Sequence, residues 1–82
     1  MIDNTLTPME KCLHFIDRIE ATTLFYNLDH VRDAIMVTVF VPGQRWEIEF
    51  FADGNVEVER YISTGKIEYE DILEELFTTF AV

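Results

Sequence analysis

The sequence predicts an α+β domain: a four-stranded antiparallel meander with an N-terminal and a C-terminal helix packed on one face, in the order αββββα. Three observations predict it. Apolar residues recur at helical spacing near both ends of the chain. Between those ends they alternate with polar residues. Turn-forming groups, Arg32-Asp33, Pro42-Gly43 and Ala52-Asp53-Gly54, divide the alternating region. Turns this short join antiparallel neighbours, because parallel strands need a crossover.

The first helix is predicted over 8–22. Thr7 can cap it, Pro8 suits its first position, and Glu10 can close a capping box. Met9, Cys12, Leu13, Ile16 and Ile19 form the stripe it is expected to bury. Cys12 lies on that stripe and reads as a small core residue rather than a nucleophile. Strands are predicted over 24–30, 34–41, 45–51 and 55–62. The last helix is predicted over 69–80, with Tyr69, Ile72, Leu73, Leu76, Phe77 and Phe80 as its apolar stripe. Glu70 and Asp71 stand near its start, where acids suit the helix dipole.

The hydrophobic pattern also sets the register, since a slip of one residue would turn every side chain to the other face. A two-residue Asp-Gly loop would put Phe50 beside Glu57. The three-residue loop Ala52-Asp53-Gly54 instead puts Phe50 beside Val56 and Ile48 beside Val58, with Gly54 in the left-handed position. Around Pro42-Gly43, Val39 then faces Trp46, Val37 faces Ile48 and Ile35 faces Phe50. A Pro-Gly pair suits a tight hairpin poorly, which leaves a longer loop open as the alternative there. Around Arg32-Asp33, Leu28 faces Val37 and Tyr26 faces Val39. The expected core face is Tyr26, Leu28, Ile35, Val37, Val39, Trp46, Ile48, Phe50, Val56 and Val58.

The same register writes the open face in rows. One is Asp29, Met36, Glu49, Glu57; the next is Asn27, Thr38, Glu47, Glu59; the third is Phe25, Phe40, Arg45, Tyr61, with Phe51 near the last turn. Glu49 thus meets Glu57, and Glu47 meets Glu59. Like charges directly opposite cost up to about 1 kcal/mol a pair. Arg45 is the nearby base expected on this face, whereas Arg60 points to the core side and can cover Trp46. Aromatics beside charges are typical of contact surfaces.

The chain has 82 residues, 49% of them apolar, which suits one domain, 1–82, with a small core. Its formal net charge of −10 disfavours nucleic acid and anionic membranes, which need clustered Lys and Arg. A basic protein, or a cation, is the natural counterpart, the alternative being that the charge serves solubility alone. A lone cysteine rules out an internal disulfide and points to a reducing cytoplasmic location. No apolar run reaches the ~20 residues of a membrane span, and the N-terminus lacks the features of a signal peptide. His14 and His30 have no partner at metal-ligand spacing, and no phosphate loop or nucleophile–base arrangement occurs. No metal, cofactor or enzymatic activity is expected.

The stretch VFVPGQRWEIEFFADGNVEVERY resembles one found in a family of small bacterial proteins. The resembling positions run from Val41, Pro42, Gly43, Arg45, Trp46, Glu47, Glu49, Phe50 and Phe51 to Asp53, Gly54, Val56, Glu57 and Glu59. In size and acidity the chain is similar to immunity proteins that neutralise toxins. That resemblance implies tight binding to a basic toxin surface through carboxylates. The expected function is therefore a small acidic protein-binding module, with Glu47, Glu49, Glu57, Glu59, Asp29, Phe40 and Tyr61 as contacts. The alternative is a structural homodimer formed through the open face or an edge strand.

Overall fold

A computed structural model describes residues 5–61 and 67–80 of the chain. Helix α1, Pro8–Glu20, is followed by strands β1, Phe25–Val31, β2, Ala34–Val41, β3, Gln44–Phe51, and β4, Val56–Tyr61. A fifth strand, β5, Ile67–Tyr69, then leads into a helical segment. The expected last residue of the fourth strand, 62, lies outside the described residues. The sheet is an antiparallel meander in the order β1-β2-β3-β4-β5.

The expected capping box is present. The Glu10 amide donates to Thr7 Oγ1 at 3.2 Å, and the Thr7 amide donates to Glu10 Oε1 at 2.9 Å. The helix ends earlier than predicted, at Glu20. There the Thr22 hydroxyl donates to the Ile19 carbonyl and begins the turn into β1.

The register matches the sequence pattern from β1 to β4. The three-residue loop before β4 is closed by the Phe51 amide donating to Asn55 O and the Gly54 amide donating to Phe51 O, with Gly54 at φ +92°. The turn at Pro42-Gly43 is tight, as the register predicts, and the alternative of a longer loop falls away: Val41 pairs directly with Gln44, and Gly43 at φ +76° takes the positive dihedral that so tight a connection requires.

Two expectations about the helices change. The C-terminal segment is not one α-helix over 69–80. Tyr69 belongs to β5, Glu70–Leu73 form a 3₁₀ turn, and Leu76–Phe80 form a π turn. β-branched Thr78 and Thr79 and aromatic Phe80 are weak α-helix formers. The wide turn also lets Phe77 pack edge-on to Phe15 at 5.9 Å, and Phe80 edge-on to Trp46 at 6.2 Å between centroids. The α1 stripe is also rotated: Cys12, Phe15 and Ile19 are buried, whereas Met9 is 63% and Leu13 51% exposed.

The core lies between the helices and the strands β2, β3 and β4. Trp46, Ile19, Ile48, Leu76, Val37, Val39 and Val58 are fully buried. Burying each such large side chain contributes about 1.5–3 kcal/mol. Leu28, expected in the core, is 50% exposed, and Tyr26 and Ile35 are only half-buried. Both helices pack over the middle and the β4 side of the sheet; at the β1 margin Tyr26 packs against the core and its hydroxyl donates to Glu20 of α1 at 2.6 Å, whereas Leu28 stays exposed. A groove of about 500 Å³ opens at the β1–β2 turn end of that margin, between Met9 and Cys12 of α1 and His30, Ile35 and Phe50 of the sheet.

Candidate functional site

β3 and β4 set the acidic face. Their register places Glu47 opposite Glu59 and Glu49 opposite Glu57. Asp29 continues the second pair's row through Met36, and Asn27 continues the first through Thr38. Phe25, Phe40, Arg45 and Tyr61 form the row beside them, with both phenylalanines and Tyr61 exposed. The structure thus brings Glu47, Glu49, Glu57, Glu59, Asp29, Phe40 and Tyr61 onto one side of the sheet.

Each paired glutamate finds its own donor, which draws opposed carboxylates toward different neighbours. Arg45 Nε lies 3.5 Å from Glu47 Oε2, and its guanidinium also rests over the Tyr61 ring at 4.4 Å. Arg32, reaching from the β1–β2 turn, lies 3.6 Å from Glu49. Arg45 is therefore not alone on this face. Glu57 accepts from Asn55 Nδ2 at 3.4 Å, and Glu59 accepts from the Tyr61 hydroxyl at 3.1 Å. Among the described residues no Lys or Arg forms an ion pair with Glu57 or Glu59. Tyr61 registers this environment: partial burial, its bond to Glu59 and the charges of Glu47 and Glu59 push its phenol above the ordinary range.

β5 adds residues that sequence reasoning missed. Its pairing sets Tyr69 beside Glu57 and Ile67 beside Glu59, both exposed. The signal was the alternation Ile67-Glu68-Tyr69, which is too brief to distinguish from the start of a helix. A depression of only about 30 Å³ lies among the glutamates and Ile67.

The opposite side of the sheet holds the other described bases. Arg60 donates to both oxygens of Glu68, at 2.6 and 2.7 Å, and to Glu75 at 2.8 Å. It also covers Trp46 at 4.9 Å, as its position in the register predicts. Arg18 binds Glu74 through two nitrogens, at 2.6 and 3.2 Å, and stacks on Phe77 at 3.8 Å. That pairing is the largest of the influences that hold the Glu74 carboxyl far below its usual range, at about 2. Lys11 donates to Glu70 at 3.2 Å and to the Gly54 carbonyl at 3.1 Å. These three bases all fasten the C-terminal segment or β5. They are thus committed to the helix-bearing side, away from the acidic rows.

Cys12 is buried, and burial pushes its thiol up, away from the reactive thiolate. Among the described residues, no group of three or more His, Cys, Asp or Glu is placed to hold a metal ion. No described helix is long and apolar enough to cross a membrane. Compared with known protein families, curated proteins and solved structures, the chain finds no match.

Proposed function

We propose that this chain is a protein-binding module whose acidic, aromatic-edged sheet face receives a basic protein partner. One observation carries the reading: Glu57 and Glu59 stand opposite Glu49 and Glu47 with no described cation of their own. Lys or Arg side chains from a partner would complete these pairs, and charge-assisted hydrogen bonds are the stronger kind. The depression of about 30 Å³ among the glutamates is too small to enclose a small ligand, so the face suits a macromolecule better. Phe40 and Tyr61, with Ile67 and Tyr69 on the β5 side, supply the apolar contact area that such interfaces use. Asp29 extends the acidic row toward β1.

Within that class, an inhibitor or immunity protein acting in the cytoplasm on a basic toxin fits the resemblance drawn from the sequence. Its role is to occupy a surface and not to catalyse a reaction.

The test is a pull-down from source lysate at low and high salt. It compares the wild-type chain with one carrying Glu47→Gln, Glu49→Gln, Glu57→Gln and Glu59→Gln. A basic protein should be retained by wild type, released by salt and lost in the variant. Retention of the same proteins by both chains, or of none, would reduce the acidic face to a solubility device.

A further inference from the structure

We propose that β1 is a self-association edge, through which two copies join into one continuous sheet with both acidic faces on the same side. This goes beyond the binding role proposed above and uses a different part of the molecule.

β1 is a terminal strand of the sheet, so one side of its backbone carries amide and carbonyl groups that no described strand pairs. The opposite terminal strand, β5, spans only Ile67–Tyr69. Such shortness is one of the usual protections of a sheet edge, along with proline, lysine and bulges. β1 has none of them: seven regular residues, FYNLDHV, pair with β2 without interruption. Its side chains are also exposed where a folded edge is normally covered. Phe25 is 80% exposed, and Leu28, on the core face, is 50% exposed, although its strand neighbour Tyr26 reaches Glu20 of α1. Met9 and Leu13, one turn apart on α1, are exposed, and Met9 borders the same margin beside His30 and Ile35.

The occupant is a second copy because the strand is complementary to itself. An antiparallel pair about a two-fold axis normal to the sheet keeps each face continuous. Centred on Leu28, it sets Leu28 against Leu28, Asn27 against Asp29, Tyr26 against His30 and Phe25 against Val31 of the second copy. All seven residues pair, and no acid meets an acid. Moving the centre to Asp29 would oppose two carboxylates and is disfavoured. Nor does the net charge of −10 prevent the approach. The β3 strands of the two copies would stand five strand spacings apart, about 24 Å. That is about three Debye lengths at physiological salt.

The test is sedimentation across a concentration series, with circular dichroism to monitor folding. Wild type should pass from monomer to dimer as concentration rises. Leu28→Glu, which sets like charges face to face on the axis, should remain monomeric with an unchanged spectrum. As a second arm that does not depend on that variant folding, Leu28→Cys is made in a Cys12→Ala background. Opposed residues of an antiparallel pair are about 4.5–5.5 Å apart at Cα, within disulfide range. Oxidation should link Leu28→Cys into dimers, whereas Phe25→Cys, placed away from the axis, should not link. A wild type that stays monomeric throughout, a dimer that survives Leu28→Glu, or equal cross-linking at both positions would each overturn the proposal.

Discussion

Glu68, Glu70, Glu74 and Glu75 tie down the helix-bearing side of the molecule, and Glu47, Glu49, Glu57 and Glu59 lie across the other face. The first group meets Lys11, Arg18 and Arg60 in short, hydrogen-bonded ion pairs. The second receives two longer contacts, from Arg32 and Arg45 at 3.6 and 3.5 Å, and two neutral donors. The difference lies in where the few bases go. Six are available against sixteen acids, and three of them are spent on closing the fold. Glutamate on one side is therefore structural glue, and on the other it is a surface charge with unused bonding capacity.

The sharpest way to break this contrast is to remove Arg60. Arg60→Met keeps an apolar cover over Trp46 but leaves Glu68 and Glu75 without their guanidinium. Breaking a partly buried cluster of this kind costs about 3 kcal/mol. Thermal denaturation should therefore show Tm lowered by more than about 10 °C. An unchanged Tm would mean that the two sides do not differ in kind.

The opposite sign is expected on the acidic face. Glu57→Gln with Glu59→Gln removes one charge from each opposed pair and keeps the shape. Relief of like-charge pairs is worth up to about 1 kcal/mol each. Tm should rise by a few degrees at low salt, and the gain should shrink as salt is added. A fall in Tm would show that these carboxylates are already as well satisfied as those on the helix side.

The smallest effect concerns acid. With Arg18 as the largest influence, the Glu74 carboxyl is lowered from an ordinary 4.5 to about 2 in the folded chain. The folded state therefore binds this proton less readily than the unfolded one. The resulting stability is present above about pH 4.5 and is lost as pH falls toward 2. Both side chains are substantially exposed, so solvent limits the term to about 0.2–1 kcal/mol. Comparing Tm between pH 5 and 2 for wild type and Arg18→Met should show a shallower acid loss in the variant. Parallel curves would remove this pair from the comparison.

Much of this arrangement is legible in the sequence. Period two and the turn lengths give the register of four strands residue by residue, and with it the opposed glutamates and the place of Arg60 over Trp46. Coverage of the core face is not legible. Alternation tells which residues share a face, but not how much of it a thirteen-residue helix can roof, so Leu28 reads as core and is half exposed. Met9 and Leu13 mislead in the same way: the stripe is wide, and Phe15 takes the centre instead. β5 is too short to carry a period. The partners of Lys11 and Arg18 lie 59 and 56 residues away, beyond the reach of any local pattern.

Those separations also have a kinetic meaning. Every strand pairs with its neighbour in the chain, so the sheet can zip up hairpin by hairpin with little loop entropy to overcome. The clasp made by Lys11 and Arg18 closes loops of 59 and 56 residues and joins helix α1 to the helical segment that follows β5. It is expected to form after the folding barrier and to act as a latch on the way out. Arg18→Met should then steepen the loss on the unfolding side, with a faster unfolding rate and a nearly unchanged folding rate. The lifetime of the native state, rather than the speed of reaching it, is what the helical segment after β5 governs.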